Sequence, residues 1–450
     1  MSNVAENTLD TEITSDVRDS GILERVFKLT ERETNVKTEV VAGVTTFLTM
    51  AYIIFVNPNI LSAAGMDHGA VFVATCLAAA IGCLIMGLYA NYPIALAPGM
   101  GLNAFFSFTV VGELGYTWQV ALGAVFLSGM IFLALSIFRI REWVINSIPL
   151  SLRRALAAGV GMFLAIIALK TSGIVVDSPA TLVTLGDLTS PGPILAAVSF
   201  LIIAVLSHRN VPGAVMIGIL VVTGISLMLG LTEYHGLVSA PPSLMPTLAQ
   251  LDISGAFEVG MISIIFAFLF VDLFDTAGTL LGVAHRAKLL DEDGNLPRMG
   301  RALMADSSAS IFGSLLGSST TTSFVESAAG IAAGGRTGLT AVVCAGLFLV
   351  AMFFAPIAGM VPGFATAGAL LFVAVLMTQG LAEIDWDDIT EAAPAVVAAI
   401  MMPLSFSIAN GIALGFITYT IIKVASGHIK DVSPSVYVLC ALFVAKFAFL

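Results

Sequence analysis

The run Gly317-Ser318-Ser319-Thr320-Thr321-Thr322-Ser323-Phe324-Val325-Glu326-Ser327-Ala328-Ala329-Gly330 lies between apolar segments, where hydropathy places it inside a bilayer. It opens with six consecutive hydroxyl residues, Ser318 to Ser323. It then carries a carboxylate, Glu326, with no basic residue before Arg336. Polar backbone and an acid at membrane depth are costly, and they are tolerated where they line a cavity. The stretch therefore reads as half of a substrate site.

Composition agrees with a membrane setting. The chain is 58% hydrophobic and 11% charged, with mean hydropathy +0.99; soluble domains carry roughly 25% charged residues. Apolar runs of spanning length recur from about residue 38 to the end, so the fold class is an all-α polytopic membrane protein. The net charge of −11 argues against nucleic-acid binding. Cys76, Cys83, Cys344 and Cys440 all lie in apolar runs without metal-site spacing and read as small buried hydrophobes. No metal, cofactor or catalytic constellation is expected. Residues 1–20 are polar, acidic and expected to be disordered, so the first span would serve as its own insertion signal. Residues 21–37 read as a short helix, either lying along the membrane surface or solvated.

Fourteen spans are predicted. The first seven lie near 38–57, 70–90, 93–112, 118–139, 153–172, 192–208 and 212–231. The second seven lie near 257–284, 299–316, 318–334, 337–359, 363–381, 391–407 and 408–425. The last apolar segment, 434–450, contains Lys446 and is expected to be an interfacial or groove-bound helix. Lys and Arg cluster before span 1 and after spans 4, 6, 8, 10 and 14, all on one side; Lys170 is the exception. By the positive-inside rule both termini are then cytoplasmic. The third span of each half is broken: Asn91-Tyr92-Pro93-Ile94-Ala95-Leu96-Ala97-Pro98-Gly99-Met100-Gly101-Leu102-Asn103-Ala104-Phe105-Phe106 in the first, the opening stretch in the second. Seven is odd, so the second copy is inverted. Inverted repeats with paired broken helices point to a transporter with its site at the midplane.

The local chemistry suggests how each break is built. Thr320, Thr321 and Thr322 favour extended backbone. Ser323 is the expected N-cap of a half-helix, with Glu326 at capping-box spacing. Asn103 is expected to cap the other half-helix, so that two positive helix ends face each other. In span 8, Ile264-Ile265-Phe266-Ala267-Phe268-Leu269-Phe270-Val271 precedes Asp272, and Asp275, Thr276 and Thr279 follow on the same helical face. Two carboxylates in one dry site oppose each other's ionisation, which suits one of them to carry a proton. Span 1 is expected to end at Asn57-Pro58-Asn59, in a place that roughly matches these acids. The loops 291–295 and 385–388 read as solvated or interfacial.

Four motifs now stand in order. They are Phe47-Leu48-Thr49-Met50-Ala51-Tyr52 leading to Asn57-Pro58; Ala97-Pro98-Gly99-Met100-Gly101-Leu102-Asn103-Ala104; Asp272-Leu273-Phe274-Asp275-Thr276-Ala277-Gly278-Thr279; and Thr320-Thr321-Thr322 through Glu326 to Gly334-Gly335-Arg336-Thr337-Gly338-Leu339-Thr340. Together they closely resemble the AzgA-like branch of the nucleobase–cation symporters, in the xanthine–uracil permease superfamily, from about residue 25 to the C-terminus. The resemblance implies a seven-plus-seven inverted repeat. Its core domain would be 38–139 and 257–359, its gate domain 140–231 and 360–425, flanked by the tail 1–37 and the segment 426–450. It further implies an elevator movement, often in a homodimer, and import of hypoxanthine, guanine or adenine with protons. Carried over by motif, Asn103, Asp272 and Glu326 would bind the base, Gly101 would allow close approach, and Asp275 would take part in coupling with Asp272 and Glu326.

Those expectations suit a flat, uncharged purine with donors and acceptors on its edges. Main chain around Thr322 and Ser323 would meet ring nitrogens or a carbonyl, and Phe324, Phe105 and Phe106 are candidates to stack on the ring. The expected function is thus a proton-coupled purine permease of a bacterial inner membrane, not an enzyme, with sodium as the alternative ion. A uracil or xanthine permease is the nearest rival. An anion transporter or channel is disfavoured by the acids, and an intramembrane aspartyl protease by the placing of Asp272 and Asp275 on one helix turn.

Overall fold

A helix interrupted at membrane depth leaves peptide groups with no water to bond, so something in the protein must take them. Pro98 has no N–H to give, and the run Thr320-Thr321-Thr322 is β-branched, so both third spans resist continuous helix. The computed structural model, which describes residues 21–138, 148–286, 289 and 296–449, shows how the chain meets this demand. Four short strands occur among the described residues: β1 (Leu96–Pro98), β2 (Val175–Ser178), β3 (Leu182–Leu185) and β4 (Thr321–Ser323). The two broken spans pair with each other. β1 runs antiparallel to β4, with Leu96 opposite Ser323, Ala97 opposite Thr322 and Pro98 opposite Thr321.

The ladder is tied at both ends and on both outer edges. At its ends, Gly99 N–H donates to Thr320 O at 2.9 Å and Phe324 N–H to Ala95 O at 3.0 Å. One side chain serves each outer edge. Cys83 Sγ accepts from Leu96 N–H at 3.2 Å and donates to Leu96 O at 3.3 Å. Ser310 Oγ accepts from Thr321 N–H at 3.1 Å and donates to Thr321 O at 2.8 Å. Cys83 belongs to the second span and Ser310 to the ninth, so the two devices are counterparts in a pseudo-two-fold arrangement centred on Ala97 and Thr322. This is the inverted seven-plus-seven repeat read at the level of single hydrogen bonds. Cys83 is therefore more than a small hydrophobe.

Each predicted span has its helix. Among the described residues, eight helices are long and apolar enough to cross a bilayer unaided, from Val36–Ser62 to Ile408–Ala425. The remainder are shorter, broken or polar: Ala214–Met228 and Ile389–Leu404, the acid-bearing Val259–Arg286, the Ser-rich Met299–Leu316, and the two spans around the ladder. Pro434–Phe449 is a helix packed along Ile408–Ala425, with Phe443 against Phe416 and Phe270 at ring centroid distances of 5.8 and 5.9 Å. The exposed hairpin of β2 and β3 follows the fifth span, and hydropathy carries no sign of it. The acidic tail 1–20, Arg139, Arg141 and the loop 291–295 lie outside the described residues.

Helices pack in two groups. Those within 36–137 pack chiefly with those within 259–351, and those within 150–228 with those within 363–425. Each group has a tie through a buried charged side chain near one end. In the first, Glu39 is fully buried at the start of span 1 and accepts from Arg336 N–H at 2.8 Å and Thr340 Oγ1 at 2.6 Å, joining that span to the eleventh. In the second, buried Lys423 pairs with Glu391 at 2.6 Å, and Glu391 also takes the Ser151 hydroxyl. The groups meet where the helix after β1 and the helix Val259–Arg286 lie against Leu150–Thr171.

One sequence expectation fails here for a clear reason. Span 1 does not end at Asn57. Helix Val36–Met50 is followed by a break at Ala51 and Tyr52, and a second helix, Ile53–Ser62, contains Pro58 in its interior. Asn57 is fully buried and donates to Thr75 Oγ1 at 2.7 Å and Ser318 Oγ at 3.1 Å. It bonds across spans instead of terminating one.

The edge device can be tested directly. Ser310→Ala leaves both outward groups of Thr321 without their partner, an expected loss of about 1–3 kcal/mol. The measurement is thermal unfolding in detergent. Ser310→Ala lowers the midpoint clearly, whereas Ser314→Ala, whose hydroxyl returns to Ile311 O of its own helix, changes it little.

Candidate functional site

The ladder gathers the side chains that the sequence singles out. After β1 the chain turns helical at Met100, with Gly99 as N-cap, and Asn103 falls within this first turn. Asn103 is thus not a cap: its own N–H is already bonded to Gly99 O at 2.9 Å. Its side chain is fully buried, Oδ1 takes the Ser319 hydroxyl, and Nδ2 has no partner among the described residues. An amide with two unused donors inside a membrane protein is a group waiting for an acceptor. Two close approaches explain the glycines. A Cβ on Gly99 would lie 2.6 Å from Thr322 Cγ2, and one on Gly101 would lie 2.5 Å from Val160 Cγ1, across the seam between the two helix groups.

After β4 the outcome differs from the expected capping box. Ser323 is the last strand residue, helix starts only at Ser327, and Glu326 holds the N-cap position with no capping bond from its side chain. Strand pairing decides this, because the N–H of Phe324 is bonded to Ala95 and the chain cannot coil until it clears the ladder. Antiparallel pairing also puts the two helix starts at opposite ends of the ladder. Glu326 instead accepts from the Tyr52 hydroxyl at 2.5 Å, where span 1 is broken.

Behind the ladder stands the acid cluster. Asp272, Thr276 and Asp306 are all buried. Thr276 Oγ1 lies 3.2 Å from Asp272 Oδ1, 3.0 Å from Asp306 Oδ2 and 2.9 Å from Thr322 Oγ1. A hydroxyl has one proton to give. Thr276 can therefore serve one carboxylate at a time, and it links spans 8, 9 and 10 through a single oxygen. Ser323 Oγ reaches Asp306 Oδ1 at 3.5 Å. Asp275 is half-buried one helix turn on, its Oδ2 3.7 Å from the place of a Cβ on Gly99.

The cluster thus joins Asp272, Thr322 and Ser323, with Asp275 beside β1 and Glu326 at the far end of β4. Three participants escaped the sequence reading: Asp306, Tyr52 and Ser319. For Asp306 the signal was present, an acid in the middle of an otherwise Ala- and Ser-rich span. The aromatic candidates are turned into packing. Phe105 lies edge-on to Phe268 at 5.0 Å, Phe106 is fully buried, and Phe324 is 5% exposed. A cavity of about 450 Å³ opens between the helix groups near the end of span 3, lined by Phe108, Glu113, Lys170 and Phe406 among others. Thr109 Oγ1 donates to Phe406 O beside it at 2.7 Å, and Phe406 holds a left-handed backbone with φ 49°. Asn103, Asp272 and Glu326 do not line that cavity.

Comparison with known proteins places this geometry. The chain is 52% identical over 437 residues to adenine permease AdeP of Escherichia coli strain K12, covering 97% of this chain and 98% of that protein. It is 47% identical over 437 residues to guanine/hypoxanthine permease PbuG of Bacillus subtilis strain 168, covering 94% and 99%. In three dimensions it is similar to the transmembrane domain of the cyanobacterium bicarbonate transporter BicA, with TM-score 0.63 and 16% identity over 84% of this chain and 97% of that one. That likeness concerns the fold alone. The sequence profile described as "Permease family" (Xan_ur_permease) matches residues 37–414, and with the full-length relatives it shows that this multi-pass membrane chain belongs to that permease family.

Proposed function

We propose that the chain imports purine nucleobases by proton symport. The observation that carries this reading is the meeting, around one ladder, of an unpartnered amide on Asn103 with the carboxylates of Asp272 and Glu326, in a chain whose full-length relatives are adenine and guanine/hypoxanthine permeases. A purine is uncharged, with acceptors and N–H donors on its edge. The Asn103 amide supplies donors and the acids supply acceptors, while Gly101 gives up its Cβ space to Val160 at the seam. No Lys or Arg lies within 96–106, 264–279 or 318–335, which disfavours an anionic substrate.

In this reading 38–139 with 257–359 is the core that carries the base, and 140–231 with 360–425 is the gate it slides past. The packing of helices into two groups supports that division. Asp272, Asp275 and Glu326 handle the coupling proton, with Asp306 tied to Asp272 through Thr276. In the same reading both termini are cytoplasmic, which the Lys and Arg distribution supports, the chain sits in the inner membrane, and it works alone or as a homodimer.

The site assignment is tested by uptake of radiolabelled adenine, guanine and hypoxanthine. Glu326→Gln and Asp272→Asn are expected to drop uptake to background while membrane levels stay unchanged; full transport by both removes the assignment. The driving force is tested separately. A protonophore is expected to stop accumulation, and accumulation sustained by a sodium gradient instead identifies the other ion. At the seam, Gly101→Ala is expected to impair uptake and Val160→Ala in the same chain to restore part of it, since the added methyl then has room.

A further inference from the structure

Of the motif Phe47-Leu48-Thr49-Met50-Ala51-Tyr52, Tyr52 enters the site, through its bond to Glu326. Span 1 breaks there, between helices Val36–Met50 and Ile53–Ser62. Tyr52, fully buried, is turned toward the start of helix Ser327–Ala332. Its hydroxyl donates to Glu326 Oε1 at 2.5 Å, and the Thr49 hydroxyl lies 3.4 Å from Glu326 O. The Thr49 proton is spent on Thr46 O of its own helix at 2.8 Å, so span 1 holds Glu326 by its side chain, through Tyr52, from a different part of the sequence than either half of the ladder.

We infer that Tyr52 is a positioning residue that sets which bases the site accepts. Its O–H occupies one oxygen of Glu326 and fixes the carboxylate, so that the other oxygen meets the base as an acceptor only. The inference rests on the nucleobase reading of the site. Natural purines agree on their imidazole edge and differ on the six-membered ring, at positions 1, 2 and 6, so a fixed carboxylate that faces the 1,6 edge discriminates by what stands there. It favours a base with an N–H on that edge: the 6-amino group of adenine, or N1–H of hypoxanthine and guanine. It rejects unsubstituted purine, which brings only lone pairs to it, because two lone pairs then oppose each other in a dry site. With phenylalanine at position 52 the carboxyl group is free to turn and to carry its own proton, and a carboxylic acid donates as well as accepts.

The test is a competition assay. Uptake of a radiolabelled base is measured in cells carrying the unaltered chain or Tyr52→Phe, against unlabelled adenine, hypoxanthine, guanine and unsubstituted purine. In the unaltered chain the three donor-bearing bases are expected to compete far better than purine. In Tyr52→Phe that advantage is expected to shrink about tenfold, mainly in KM, as fits loss of one hydrogen bond to a charged group. A merely structural tyrosine lowers uptake of every base by one factor and leaves the ratios alone; that result, or ratios unchanged at full uptake, overturns the inference. The same ratios are read without transport from the melting temperature of purified protein with each base, so poor membrane delivery does not hide the answer. If the unaltered chain takes up no base at all, the nucleobase reading itself falls and the inference with it, an outcome plainly different from unaltered ratios in a working carrier.

Discussion

A peptide group inside a bilayer has to be bonded by the protein, and this molecule is organised by how it meets that demand twice. Both third spans stop being helical at mid-depth. Neither could do so alone, since a lone strand would bare N–H and C=O groups at a cost of several kcal/mol each. Paired as β1 and β4, each satisfies the inner edge of the other, and Cys83 and Ser310 take the outward groups of Leu96 and Thr321. The positions of Asn103, Thr322, Ser323 and Glu326 follow from that pairing.

In the polar cluster built on it, one hydroxyl proton faces two acids. Asp272 and Asp306 share the Thr276 hydroxyl, and Thr276 in turn contacts Thr322 in the ladder. A change in charge at either acid must alter which partner Thr276 serves, and so bears on the strand that leads to Glu326. Span 1 reaches the same residue through Tyr52. Three helices and the ladder are thereby joined by side chains whose hydrogen bonds cannot all be made at once, a suitable basis for coupling one occupant to another.

Much of this was legible in the residues themselves. Spans stood out because an unbroken apolar run of membrane length is seldom anything but a span, and the breaks stood out because Pro98 and the Thr run cannot continue a helix. Asp272 and Glu326 were visible as acids where acids are expensive. What local chemistry could not show was which long-range partner each broken segment would take. Ser323 looks like an N-cap beside Glu326, and in isolation it would serve as one; pairing with Leu96 keeps it extended. Asn103 looks like a cap until Gly99 takes that position. Asp306 was overlooked because the serines around it, Ser307, Ser308 and Ser310, make one more polar residue stand out less. Tyr52 was quoted only as part of a motif, since no spacing rule connects it with a carboxylate in the other half of the chain.

The pairing of β1 with β4 also bears on biogenesis. When the first half of the chain has left the ribosome and entered the membrane, the partner of Leu96, Ala97 and Pro98 does not yet exist. Closing so long a loop is slow and entropically costly. Until the tenth span arrives, the inner edge of β1 must be covered by water, lipid headgroups or an insertion factor. Chain order therefore leaves the inner edge of β1 without its partner until the tenth span is made, and the pairing that covers it also fixes where Asn103 and Glu326 stand.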